Sequence, residues 1–299
     1  MNKHAVLFPA LLILSGSLYL SGAQTITVDR RSALCALAAE LDHRYGYSVT
    51  YEEGPYDAAD LREETMANGK RFLSPVWKPI VFQIPDALAA APAEGTADVK
   101  LPNPIPSLGP EILDPLVRQY NESGNPGKFS VIYEGEYAHI VQVTRVVDRR
   151  TEDFQPILST KVAFAPETRS CFETLNDLFR QISTARGARI ANATRISIGT
   201  LSGHRCAVVG DNLTARDVLE QILNELGTSP VLSAPRDRFA WALMYEPNLH
   251  KYFLSTSIVP KMTPHGNKAP VPAASQRPPA TTSSPGEHGL YKATPIKNN

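Results

Sequence analysis

The sequence predicts an α+β fold: two small repeated units, each with helices packed on short mixed sheets and hairpins, then a disordered Pro-rich tail. Three observations lead there. In DNLTARDVLEQILNELG (Asp211 to Gly227), apolar residues fall at Val218, Leu219, Ile222, Leu223 and Leu226, which is one face of a helix. Thr214 is placed to cap it, Asp217 completes a capping box, and Gly227 offers a left-handed stop. Second, FSVIYEGEYAHIVQVTRVV (Phe129 to Val147) and FAWALMYEPNLHKYFLSTSIV (Phe239 to Val259) alternate on both sides of a polar turn, the pattern of a β-hairpin. Third, the halves echo each other. Tyr133-Glu134 precedes the first hairpin turn as Tyr245-Glu246 precedes the second, and Ile112-Leu113-x-x-Leu116-Val117 matches Val218-Leu219-x-x-Ile222-Leu223. Leu37 and Leu41 answer Leu175 and Phe179 in the same way.

Taken in order, residues 1–23 read as a secretory signal peptide: Met1-Asn2-Lys3-His4, an apolar run from Ala5 to Leu20, then Ser21-Gly22-Ala23. The run is short for a membrane span, which needs about 20 apolar residues. We expect an exported chain, periplasmic or extracellular, with no stable membrane span once the signal is removed; an uncleaved anchor is the alternative.

The first unit, 24–150, opens with a strand at ITVD, from Ile26. A helix from Ala33 follows, with Leu34, Leu37, Ala38, Leu41 and Tyr45 on one face, and Gly46 ends it. YSVTYEE (Tyr47 to Glu53) alternates like a strand, residues 54–79 look irregular, and Ile80 to Ile84 read as a strand. An Ala/Pro-rich insertion near 85–110 leads to the Ile112 helix, which breaks at the turn-rich run Asn121 to Gly127.

The second unit, 151–260, begins with a strand at Ser159 to Phe164. Ser170 caps a helix with Glu173 at the capping-box position; Cys171, Leu175, Leu178, Phe179 and Ile182 form its stripe, and Gly187 can end it. Strands at Arg195 to Ile198 and at CAVV (Cys206 to Val209) lead into the Thr214 helix. Residues 261–299 hold too few large apolar side chains to offset their conformational entropy, and disorder is expected.

Lys plus Arg and Asp plus Glu are both 30 in 299 residues, which argues against a phosphate-neutralising nucleic-acid binder. Of three cysteines, Cys171 and Cys206 lie in one unit, at a helix start and a strand head that pack together, so a disulfide is predicted between them. The alternative is two buried thiols; Cys35 reads as a small buried residue within its helix. His204 in GHRC stands beside Cys206, yet the paired ligand motifs of an exported zinc site are missing, and we expect neither metal nor cofactor. His139 and His250 read as strand or turn residues. No nucleophile elbow, His-Glu-x-x-His helix or phosphate loop occurs, so no catalytic residue is assigned. Glu52, Glu53, Glu63 and Glu64 fall in segments that look solvated. Tyr133, Tyr137, Trp241, Tyr245 and Tyr252 gather on the hairpins as a candidate binding face for carbohydrate or peptide; the bland reading has them covering a small core.

The strand followed by NLTARDVLEQILNELG and a hairpin resembles the short N-terminal domain of secretins and TonB-dependent receptors. SALCALAAELDHRYGYSVTYEE is similar to that domain's opening helix and strand. YGYSVTYEE, YNESGNPGKFSV and WALMYEPNLHKYFL also resemble exported bacterial proteins of unknown function with two such units. The likeness covers most of residues 26–260 and rests on packing and turn positions. It implies an envelope-facing, non-catalytic module that contacts an unidentified envelope protein; channel or receptor function is not carried over. The competing expectation is a protein that binds or hydrolyses cell-wall carbohydrate.

Overall fold

The computed structural model describes residues 25–28, 32–84, 108–147, 150–228 and 238–259. The predicted signal peptide, most of the Ala/Pro-rich insertion and the predicted tail lie outside the described residues.

The chain is mixed α+β. β1 (Thr25–Val28) leads to α1 (Ala33–Tyr45), whose Leu34, Leu37 and Leu41 are buried at the predicted spacing. The helix stops at Gly46, which takes φ 66 and donates its N–H to the Asp42 carbonyl, a left-handed turn open to glycine because it has no Cβ. β2 (Ser48–Glu52) is buried at every residue, where alternation was expected. It lies between two other strands with cover on both faces, so no position along it points to water.

Residues 54–79 are not irregular. They hold a 3-10 turn at Ala58–Asp60 and a hairpin of β3 (Leu61–Thr65) with β4 (Arg71–Pro75). That hairpin is largely exposed, so it carries no apolar face for periodicity to reveal. β5 (Ile80–Gln83) pairs antiparallel with β1, and α2 (Pro110–Glu122) buries Ile112, Leu113, Leu116, Val117 and Tyr120. The first hairpin forms as expected from β6 (Lys128–Glu134) and β7 (Tyr137–Val147), with β8 (Arg150–Asp153) paired to the far end of β7.

In the second half a 3-10 turn at Ile157–Ser159 precedes β9 (Lys161–Phe164) and β10 (Arg169–Ser170). In α3 (Cys171–Arg186) the capping box is complete: Ser170 Oγ accepts from the Glu173 N–H and the Glu173 carboxylate accepts from the Ser170 N–H. β11 (Ile190–Asn192) follows Gly187. The strand expected at Arg195 to Ile198 is absent, because Ser197 caps a short helix, α4 (Ile198–Gly203), and accepts from the Thr200 N–H. Of CAVV, only Cys206 enters a strand, β12 (Arg205–Cys206), which pairs with β10; β13 (Gly210–Thr214) then pairs with β9. In α5 (Ala215–Gly227) the Thr214–Asp217 capping box forms, but Gly227 is the last helical residue and not a left-handed cap. Thr228, at φ −82, closes the helix by donating to the Asn224 carbonyl. β14 (Arg238–Glu246) and β15 (Lys251–Val259) make the second hairpin.

One seven-stranded sheet takes strands from both halves, in the order β11-β15-β14-β2-β7-β6, with β8 beside the end of β7. In the first half β2 runs parallel to β7, which pairs antiparallel with β6; in the second, β11 runs parallel to β15, which pairs antiparallel with β14. The two sets meet where β2 runs parallel to β14, with Tyr51 opposite Ala242 and Glu52 opposite Leu243. Successive strand side chains face opposite ways. Tyr51, Ala242 and Met244 therefore enter the core under α1 and α2, while Trp241 and Leu243 enter the core under α3 and α5. The helices of the two halves thus lie on opposite faces of a shared sheet.

Candidate functional site

The shared sheet sets a problem at its centre. α1 and α2 cover one face of β2 and β7, so the other face of these strands, with Thr50, Glu52, Tyr137 and His139, has no helix from its own half. α5 of the second half reaches across to cover it. Arg216 and Glu220, one helical turn apart on α5, approach Glu52 and His139, and Asn224, a turn further on, accepts from the Tyr137 hydroxyl at 2.9 Å.

Glu52 is 0% exposed, and Glu53 is buried beside it, so both correct the solvated reading; Glu63 and Glu64, on β3, stay at or near the surface with Arg71 and Arg62. Glu52 Oε1 accepts from the Leu158 N–H at 2.8 Å and Oε2 from the Arg216 guanidinium at 3.1 Å. Burial holds its carboxyl above the usual range even so, and the arginine only offsets part of that shift. Among the described residues no cation pairs with Glu53. Its carboxylate accepts from the Tyr245 N–H at 3.0 Å and from the hydroxyls of Tyr51 and Tyr56, while its own N–H donates to the Leu243 carbonyl. Burial pushes it up to about 8.

His139 sits between the rings of Tyr137 and Trp241, each 5.9 Å away between centroids. Its Nδ1 is 2.7 Å from Thr50 Oγ1. Its Nε2 is 3.2 Å from Glu220 Oε1 and 3.5 Å from Glu134 Oε2, close enough for an ion pair, yet neither Nε2 nor Glu220 Oε1 is aligned for a hydrogen bond. Burial, reinforced by Arg216, pushes the imidazole down to about 3, so it is neutral; burial and then repulsion from Glu134 push Glu220 up to about 7. Glu220 opens onto a shallow, wide-open cleft of about 350 Å³ along α5, lined also by Asp217, Gln221, Asn224, Glu225 and Thr228. This arrangement can hold or release a proton at the cleft near neutral pH. His139 itself is sealed beneath aromatic rings and reaches no solvent. Among the described residues, no group of three or more His, Cys, Asp or Glu is placed to hold a metal ion.

The five hairpin aromatics do not share one face. Tyr133 packs toward α2 and donates to Asp114 at 2.9 Å, whereas Trp241, Tyr245 and Tyr252 belong to the core on the opposite side of the sheet. Trp241 and Tyr252 are 2% and 4% exposed, so neither ring can stack on a ligand without the core opening. Tyr245 lies 5.1 Å from Tyr252 between ring centroids, and Tyr137 alone borders the cleft through Asn224. Cys171 and Cys206 form a disulfide with Cα atoms 5.1 Å apart, tying the start of α3 to β12, and Cys35 is free. His204 places Nδ1 2.8 Å from the Thr200 carbonyl. His250 closes the second hairpin turn at φ 46, 3.1 Å from the Tyr245 hydroxyl.

Sequence reasoning missed Glu52, Glu53, Arg216 and Glu220. The available signal was two acids in the otherwise strand-like YSVTYEE, together with a polar stripe Arg216-x-x-x-Glu220-x-x-x-Asn224 beside the apolar face of α5. Comparison with protein-family models, curated proteins and solved structures returned no match.

Proposed function

We propose that this chain is an exported, non-catalytic docking module of the cell envelope that receives a protein partner along an exposed sheet edge. The observation that carries the reading is the two ends of the central sheet, where the outer side of β6 meets side chains such as Asn121, which bonds Phe129. Among the described residues no strand pairs with the outer side of β6 or of β11, and an unpaired edge is a template for strand addition. The buried polar groups support the same reading, because Glu52, Glu53 and Arg216 are spent on joining the two halves. The secretory pattern of residues 1–23 and the Cys171–Cys206 bridge suit an oxidising, exported compartment. No helix among the described residues is long and apolar enough to cross a membrane. The resemblance to the short N-terminal domain of secretins and receptors points to the same class of activity.

The test is a photo-crosslinking amino acid placed in the living source cell at Ser130 on β6, at Asn192 on β11, or at Arg180 on the exposed side of α3. Crosslinks to protein from the edge positions and not from Arg180 are expected. Silence at both edges, or equal labelling from Arg180, would overturn the docking reading. Sedimentation with peptidoglycan that is lost on Glu220→Gln would instead support the carbohydrate alternative.

A further inference from the structure

The joint between the halves is also the pattern for a contact that one chain leaves unmade. By ladder register, Tyr133, Ala138 and Val49 form a row across β6, β7 and β2. Tyr245, Tyr252 and Ile190 form the same row across β14, β15 and β11. Both rows cross an antiparallel hairpin first and a parallel strand third, so β6 corresponds to β14 and β2 to β11. Within the chain β2 is joined to β14. The corresponding pair, β11 and β6, stands at opposite ends of the sheet with outer sides that no described strand covers. A joint between two different edges is heterologous, and using it once leaves one edge of each kind over.

We propose that a second copy of this chain takes up those edges, β6 of one chain adding parallel to β11 of the next in the register of the internal joint. This rests on the docking reading above and names its partner. Translated residue by residue, Ala242 opposite Tyr51 becomes Ser130 opposite Asn192, and Leu243 opposite Glu52 becomes Val131 opposite Ala193.

The hydrogen bonds translate as well. The Glu53 N–H donates to the Leu243 carbonyl at 2.9 Å across the internal joint; their counterparts are the Thr194 N–H and the Val131 carbonyl. In the single chain the Thr194 N–H is held by Asn192 Oδ1 at 2.9 Å, so docking exchanges one bond for another. Glu53 also accepts from the Tyr245 N–H, whose counterpart is the Tyr133 N–H. Thr194, in the place of Glu53, carries a buried Oγ1 with no hydrogen-bond partner among the described residues. That Oγ1 is occluded within its own chain, so Thr194 must turn outward to accept there when the edges meet.

Steric and charge terms allow the contact. Ser130 is nearly as small as its counterpart Ala242, and Ala193 stands where Glu52 needed Arg216 to offset its charge. β11 is only three residues long, so the contact is short and its occupancy rises with concentration. Each added chain presents the same two edges again, which gives rings or open filaments instead of closed dimers.

The experiment uses the full exported chain with its native disulfide, in a Cys35→Ser background. Cys171 and Cys206 are buried and so shielded from exchange. Ser130→Cys and Asn192→Cys are made separately and then mixed under mild oxidation. The mixture should crosslink about tenfold faster than either variant alone, because only the mixture places two thiols at one joint. The double variant should give a ladder of multimers, and the sedimentation coefficient of the unmodified chain should rise with concentration. Self-linking of Ser130→Cys as fast as the mixture would show like-edge pairing and overturn the proposal. So would a concentration-independent monomer with no mixed crosslink. If that monomer nevertheless photo-crosslinks at Ser130 to a different envelope protein in cells, docking stands and self-association alone fails.

Discussion

Removing Arg216 from Glu52 is the sharpest stability test of the joint between the halves. Glu52 is fully buried, held by backbone N–H groups at Leu158 and Ile157 and by one guanidinium, and its carboxyl is raised chiefly by burial despite the arginine. Desolvation therefore outweighs the attraction, which is the regime where losing one partner is costly and losing both is cheap. Arg216→Met keeps an unbranched stem but leaves Glu52 without a counter-charge, and should cost about 3–5 kcal/mol at neutral pH. Glu52→Gln keeps an acceptor for the Leu158 N–H yet strands a guanidinium that is only 5% exposed, with a loss of similar order. The double variant should lie within about 2 kcal/mol of the parent, giving a coupling energy of several kcal/mol. Urea unfolding followed by tryptophan emission reads all four corners of the cycle, since Trp241 lies on the same face as Glu52. The Arg216→Met deficit should also shrink as pH falls, because Glu52 can then take up a proton. Single variants each costing less than about 1 kcal/mol, or a strictly additive double, would refute the reasoning.

Three further outcomes are expected. Replacing Cys171 and Cys206 together by Ala should lower stability by about 4 kcal/mol, from the chain entropy of a loop closed across 35 residues, and non-reducing peptide mapping should find them linked with Cys35 alkylatable. Glu53 and Asp42 are each pushed up to about 8 by burial, with no cation beside them among the described residues. Folded, each keeps a proton that the unfolded carboxyl sheds above its usual pKa. The stability they lend in acid is thus lost as pH rises toward 8, at about 1.4 kcal/mol per pH unit per group. Glu53→Gln should remove one group's share of that slope in denaturant melts, and an unchanged slope would mean Glu53 is charged in the fold. Gly127→Ala should cost about 1–2 kcal/mol in the same melts, because Gly127 holds φ +77 and a Cβ there would lie 3.0 Å from the Gln142 side chain.

What the sequence made legible was what short stretches determine. The capping boxes at Ser170 and Thr214, the Leu34–Leu37–Leu41 stripe and both hairpins are written within a few residues, and all form. The Cys171–Cys206 pairing was legible because both cysteines sit in elements of one half. The β2–β14 joint was not, since nothing local marks a parallel pairing between strands so far apart in the chain. Without that joint, Glu52 and Glu53 read as solvated acids and His139 as an ordinary strand residue. β11 was missed because three residues carry no period, and the Ser197 cap redirected the β-rich look of Arg195 to Ile198 into a helix.

The late position of β14 has a consequence for biogenesis. A chain made from its N-terminus delivers β2, β6 and β7 long before Arg238 emerges. During that interval the β2 edge that will meet β14 is bare, and Glu52 and Glu53 have neither Arg216 nor the Tyr245 N–H to receive. Water can solvate the two carboxylates in this half-made state, so their charge keeps a naked strand edge from pairing indiscriminately. Once the second hairpin arrives, the same two acids change from guards of an unfinished edge to the bonds that finish it. The step is slow by nature, because it closes the longest loop in the sheet, and it is where a folding chaperone would find its substrate.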